Sequence, residues 1–116
     1  MCTAIARFGK DFTFGRNMDL DYDFGGDILV TPRNFPFSFL PTKNHFAIMG
    51  MARAVDGFPL YADAMNEKGL CMAALNFPRS GYYFSHSIKG KQGIASFELI
   101  PLILSLCSTV REAGEM

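Results

Sequence analysis

Two short segments rich in β-branched and aromatic residues, Cys2–Phe8 and Phe12–Arg16, flank the polar triplet Gly9-Lys10-Asp11 at the front of the chain. That pattern predicts an antiparallel hairpin. The following stretch, Asp19–Asp27, is acidic, aromatic and glycine-containing, and reads as a loop. A third short strand, Asp27–Thr31, is stopped by Pro32. Asn34–Asn44 carries Pro36 and Pro41 among aromatics and reads as a surface excursion. Strands are then expected over Phe46–Ala52, Leu60–Met65 and Leu70–Phe77, the last two joined by the hairpin loop Asn66-Glu67-Lys68-Gly69. The run Leu70–Leu75 is apolar at every position. A strand of that kind is expected to be covered on both faces, by a sheet on one side and a helix on the other.

From Phe77 to Gly93 the pattern returns to loop character. Phe97, Ile100, Leu104 and Cys107 then recur at helical spacing, which predicts a helix from Ala95 or Ser96 with Pro101 tolerated in its first turn. Thr109-Val110-Arg111-Glu112 matches a capping box and predicts a second helix. Only seven residues follow Thr109, and a helix that short does not hold itself in water. The chain therefore reads as stopping inside an element: residues 1–116 as the N-terminal part of one domain whose C-terminal part is absent. Antiparallel strands followed by helix place it in the α+β class.

Composition narrows the function. An apolar fraction of 49% excludes a disordered chain, and 116 residues make room for one small domain. No run of eighteen apolar residues exists, and the longest apolar stretch, Leu99–Leu106, is too short to span a bilayer. The first residues lack the basic region and apolar core of a secretory signal, so a cytoplasmic location is expected and no membrane partner. Eleven basic residues balance eleven acidic ones with no basic stripe, which argues against nucleic acid as a partner.

Three cysteines without a C-x-x-C spacing indicate neither a disulfide framework nor a zinc site, and Cys71 and Cys107, within apolar stretches, read as core fillers. His45 and His86 have no cysteine or carboxylate at ligand spacing and read as exposed loop histidines. Asp19-Leu20-Asp21-Tyr22-Asp23 opens like a calcium loop, but the glycine and glutamate such a loop requires are replaced by Phe24 and Val30. No metal or cofactor is expected.

The remaining cysteine, Cys2, directly follows the initiator methionine. Removal of Met1 would leave a residue bearing a thiol and a free α-amine, whose ordinary pKa values of about 8.5 and about 8 are closely matched. The amine can take the thiol's proton, directly or through a water, with no histidine required. Arg16 and Asp19 fall near the end of the strand expected to pair with Cys2. A guanidinium there would favour the thiolate, and a carboxylate would hold the amine. The bland alternative is a solvated Arg–Asp surface pair beside an inert cysteine.

The segments Met1-Cys2-Thr3-Ala4-Ile5, Phe14-Gly15-Arg16-Asn17-Met18-Asp19, Thr31-Pro32-Arg33-Asn34, Asn66-Glu67-Lys68-Gly69-Leu70 and Leu75-Asn76-Phe77-Pro78 together resemble the choloylglycine hydrolase family, which contains bile salt hydrolases and penicillin V acylases. The resemblance runs from residue 1 through the helix near Cys107. It implies an N-terminal nucleophile hydrolase with an αββα sandwich, here its front part only, and an amidase acting on a small-molecule amide, a conjugated bile salt or penicillin V. Carried over residue by residue, it makes Cys2 the nucleophile and its amine the base. Arg16 and Asp19 take the activating and orienting roles, and Asn76 gives a backbone N–H to the oxyanion hole.

Asparagine at position 76 is what bile salt hydrolases have where penicillin V acylases commonly have tyrosine. The family's substrate loops map near Tyr22–Gly26 and Arg79–Ser85, so Phe24, Tyr82, Tyr83 and Phe84 become candidate walls for the acyl group, with ordinary aromatic packing as the alternative. Relatives form homotetramers, so a homo-oligomer is expected. They are also longer, and an asparagine and an arginine in their later part have no counterpart in these 116 residues. Asn17 and Asn66 are candidates for the second oxyanion donor by composition only.

Overall fold

The computed structural model describes residues 2–77, 79–86 and 88–116. Six strands come first: β1 (Thr3–Arg7), β2 (Thr13–Asn17), β3 (Asp27–Thr31), β4 (Ile48–Val55), β5 (Phe58–Asn66) and β6 (Cys71–Ala73). A single 3-10 turn, Ser96–Glu98, then leads into α1 (Leu99–Leu106), and α2 (Val110–Glu115) follows. The α+β class is as the sequence indicates. β1 and β2 form a separate antiparallel pair, and β3-β4-β5-β6 form an antiparallel four-stranded sheet in chain order.

Helix α1 covers one face of that sheet. The core joins Ile48 and Ala52 of β4, Tyr61 and Ala64 of β5 and Leu70 to Ile100, Leu104 and Cys107 of the helical segment. A register shift between Met51 and Ala52 leaves Ala62 as an extra residue on β5, so that Tyr61 and Ala64 share the helix-facing side across the bulge. Gly50 is required by close approach: a Cβ there would collide with the Asp63 carbonyl oxygen and the Ala64 Cα. Thr31 and Tyr61 join their hydroxyls at 2.5 Å beneath this layer, and burial raises the Tyr61 phenol above its ordinary value.

The β5–β6 loop is held from both sides. Gly69 takes the left-handed φ of 84° that closes the hairpin. Glu67 accepts a forked pair of bonds from Arg33 and a further one from the Ala47 N–H at 2.9 Å, which pins the loop to the edges of β3 and β4. Thr109 caps α2 by accepting from the Glu112 N–H, while the Glu112 carboxylate reaches back to Ser108, one residue earlier than a capping box places it.

Several expectations need correction. Strand β6 ends at Ala73 and not at Phe77, and its residues are half-buried and not covered on both faces. One more ladder bond, from Ala74 N–H to the Ala62 carbonyl, precedes the departure of the chain. The stretch 34–44 has no regular structure but is no mere surface excursion. Phe37 is buried, with Phe35, Phe39, His45 and Phe58 around it, because the aromatic side chains pack onto the start of β5. His45, expected on the surface, is likewise buried, its two ring nitrogens facing the carbonyls of Phe46 and Phe35 at 2.8 and 2.9 Å. His86 is exposed as expected. Of the two proposed core cysteines Cys107 is buried and Cys71 only half-buried, since it lies on the short outer strand. The helix starts three or four residues later than expected, the 3-10 turn taking its first residues.

Candidate active site

Cys2 sits immediately before β1, and the register Thr3↔Asn17 brings the far end of β2 against it. The Thr3 N–H donates to Asn17 Oδ1 at 2.6 Å and fastens the two ends together. The turn after β2 then carries Asp19 past the thiol, whose Sγ lies 4.0 Å from the Asp19 carbonyl oxygen. From the other side, the chain leaving β6 brings the Asn76 backbone to the same sulfur. Hydrogen bonding by the Asp19 backbone is the main influence drawing the Cys2 thiol below its ordinary value. Desolvation opposes it, and the Asn76 backbone and the Arg16 charge add to the lowering. Burial pushes the thiols of Cys71 and Cys107 the opposite way.

Arg16 is not part of a solvated surface pair. Its side chain is 7% exposed and crosses from β2 to the four-stranded sheet. There Nη2 donates to the Ala74 carbonyl at 2.5 Å and Nε lies 3.5 Å from Asp63 Oδ2. Asp63 was not foreseen from the sequence. The available signal was an acid between Ala62 and Ala64 in a mostly apolar strand, where aspartate is disfavoured.

Cys2, Arg16 and Asn76 line one cleft of about 1380 Å³, together with Phe24, Tyr82, Tyr83 and Phe84. The expected site residues are therefore brought together, with Asp19 adjoining through its backbone. Tyr82, Tyr83 and Phe84 are exposed, and the rings of Tyr82 and Phe84 meet edge-on at 5.2 Å. Leu20, Tyr22, Met72 and Phe97 add further apolar wall. Of the two composition-based candidates for a second oxyanion donor, Asn66 does not serve. The Asn66 amide is buried against the end of α1, and Asn17 uses its side-chain oxygen to accept from Thr3. Among the described residues no group of three potential metal ligands occurs. No helix of the described residues is long and apolar enough to cross a membrane.

A model of the linear amide C–N hydrolases, choloylglycine hydrolase family, matches residues 2–116. The chain belongs to this family. It is 44% identical over 115 residues to a bile salt hydrolase/transferase of Lactiplantibacillus plantarum, covering 97% of this chain and 35% of that protein. It is 40% identical over an alignment of 121 residues to a bile salt hydrolase/transferase of Clostridium perfringens, covering 99% and 37%. A crystal structure of a mutant conjugated bile acid hydrolase from Clostridium perfringens superimposes with a TM-score of 0.89 at 39% identity, over 99% of this chain and 37% of that one. The chain thus spans little more than a third of the length of the choloylglycine hydrolases it matches.

Proposed function

We propose that this chain supplies the nucleophile side of an amidase that hydrolyses glycine- or taurine-conjugated bile salts. The observation that carries the reading is the convergence of Cys2, Arg16 and the Asn76 backbone on one aromatic-walled cleft. The names of the relatives, bile salt hydrolase/transferase and conjugated bile acid hydrolase, support the substrate class. Asparagine at position 76 favours bile salts over penicillin V.

The proposed reaction begins after Met1 is removed. The freed α-amine of Cys2 takes the thiol proton, with Asp19 orienting the amine and Arg16 stabilising the thiolate. The thiolate attacks the amide carbonyl, and the oxyanion that develops receives the Asn76 N–H, where a preorganised donor is worth most. Collapse of the tetrahedral intermediate returns the proton to the departing glycine or taurine and leaves a thioester on Cys2. Water then attacks the thioester, giving the free bile acid and restoring the thiol. Phe24, Tyr82, Tyr83 and Phe84 are proposed to enclose the steroid. Turnover is proposed for the whole protein, of which these residues form the N-terminal part of a single domain. Its second oxyanion donor lies outside them. A cytoplasmic homo-oligomer is the setting we propose.

Release of glycine and taurine from conjugated bile salts, measured beside penicillin V hydrolysis and a Cys2→Ser control, tests the reading. Release that disappears in the control supports it. Hydrolysis of penicillin V alone, or release that survives Cys2→Ser, overturns it.

A further inference from the structure

The register of the four-stranded sheet aligns Ile28, Met51, Asp63 and Ala73 in one row, on the face turned away from α1. Asp63 is the single acid in that row, and its side chain is 23% exposed. A carboxylate in an apolar row costs stability unless a charge answers it. The charge that answers is Arg16, itself 7% exposed, arriving from the other sheet with Nε 3.5 Å from Asp63 Oδ2. On its second side the same guanidinium is held by the Ala74 carbonyl. Asp63 and Ala74 lie beside one another across β5 and β6, since Asp63 pairs with Ala73. The Ala74 carbonyl, which accepts a hydrogen bond, and the Asp63 carboxylate, at ion-pair distance, therefore form a seat for the guanidinium.

The geometry points to Asp63 as a positioning residue for the proposed amidase reaction: by seating the Arg16 guanidinium, it holds that charge beside the Cys2 sulfur. The inference rests on the functional reading above only for the reaction it serves. The seat has two consequences. Asp63 acts on Cys2 through Arg16, the group it contacts and one of those that lower the thiol, with the Asp19 and Asn76 backbone and the α-amine. The direct effect of its negative charge, by contrast, would oppose the thiolate. Positioning and simple charge damping thus predict opposite signs when Asp63 is neutralised.

The experiment is site-resolved alkylation of Cys2 by iodoacetamide as a function of pH, in the full chain, for wild type, Asp63→Asn, Asp63→Ala, Arg16→Gln and the double variant Asp63→Ala with Arg16→Gln. Arg16→Gln is expected to raise the midpoint, as loss of a nearby opposite charge does. Asp63→Ala is expected to raise it comparably, Asp63→Asn less, and the double variant no further than Arg16→Gln alone, as for two groups acting as one unit. An unchanged or lowered midpoint in Asp63→Asn overturns the proposal, as does additivity in the double variant. Because Asp63→Asn keeps the size and an acceptor, it decides the question even if Asp63→Ala does not fold. Bile-salt amide hydrolysis is read separately in the whole protein: its absence there would sink the functional reading while the midpoints still decide what Asp63 does to Arg16.

Discussion

Asn66 in the β5–β6 turn closes the C-terminal end of α1 by donating its side-chain amide to the carbonyl of Cys107 at 2.7 Å and to that of Leu104 at 2.9 Å. Its oxygen accepts the N–H groups of Lys68 and Leu70 at 3.0 Å each, so one buried side chain makes all four bonds open to an amide. Helix ends leave carbonyls without partners, and here a sheet hairpin supplies them. The Asn66→Ala variant strands several of these groups at once. We expect a loss of roughly 3 kcal/mol, given about 1–3 kcal/mol for each buried group left unsatisfied. Urea unfolding measures it, and a loss below about 1 kcal/mol would mean that water replaces the amide.

The Arg33–Glu67 fork should give the fold a pH dependence of known sign. Its bonds to Arg33 first, and to Ala47 next, hold the Glu67 carboxyl down to about 2. A carboxylate whose folded pKa is depressed stabilises above its unfolded value, near 4.3, and loses that contribution as pH falls through the folded value. Thermal stability should therefore decline between about pH 5 and about pH 2. Glu67→Gln should flatten that decline; an identical slope in the variant would assign it to other carboxylates.

Gly50 offers a packing test. Replacing it with alanine drives a methyl into the Asp63 carbonyl oxygen and the Ala64 Cα, both backbone, so neither can rotate away. The expected cost is about 2 kcal/mol, in the range for overpacking. The collision lies at the residue that seats Arg16, so Gly50→Ala should also raise the Cys2 alkylation midpoint. A stable variant with an unaltered midpoint would show that β4 and β5 can separate without disturbing the site.

How far the sequence reveals these relationships depends on their range. The hairpin β1–β2, the bounds of β3 and the glycine-closed turn before Leu70 were legible because each follows from residues next to one another. Cys2, Arg16 and Asp19 were legible as a group for the same reason: one hairpin register brings them together. The role of Asn66 was not, since its partners lie 38 and 41 residues away. Nor was the pairing of Arg16 with Asp63, which joins two sheets. His45 looked like a loop residue because burial of 34–44 comes from Phe37 packing on Phe58, a contact no local pattern announces. The full apolar run from Leu70 to Leu75 misled in length: the strand stops at Ala73, and the chain turns to carry Asn76 to the cleft.

The three thiols should separate by reactivity, because the same chain places them in opposed settings. Only a thiolate attacks an alkylating agent, so rate at a given pH follows the thiolate fraction and access. Cys2 is half-exposed and its thiol is lowered, chiefly by the Asp19 backbone. Cys71 is also half-exposed, but desolvation raises it. Cys107 is buried, and both desolvation and the charge of Glu112 raise it. At pH 7 iodoacetamide should therefore label Cys2 first, Cys71 more slowly, and Cys107 only once the chain is unfolded, since the thiolate fraction at a given pH falls as the thiol pKa rises. Mass spectrometry of peptides from a time course reads all three in one sample. Equal rates at Cys2 and Cys71 would show that the backbone around the sulfur does not favour the thiolate, and the nucleophile assigned to Cys2 would lose its physical basis.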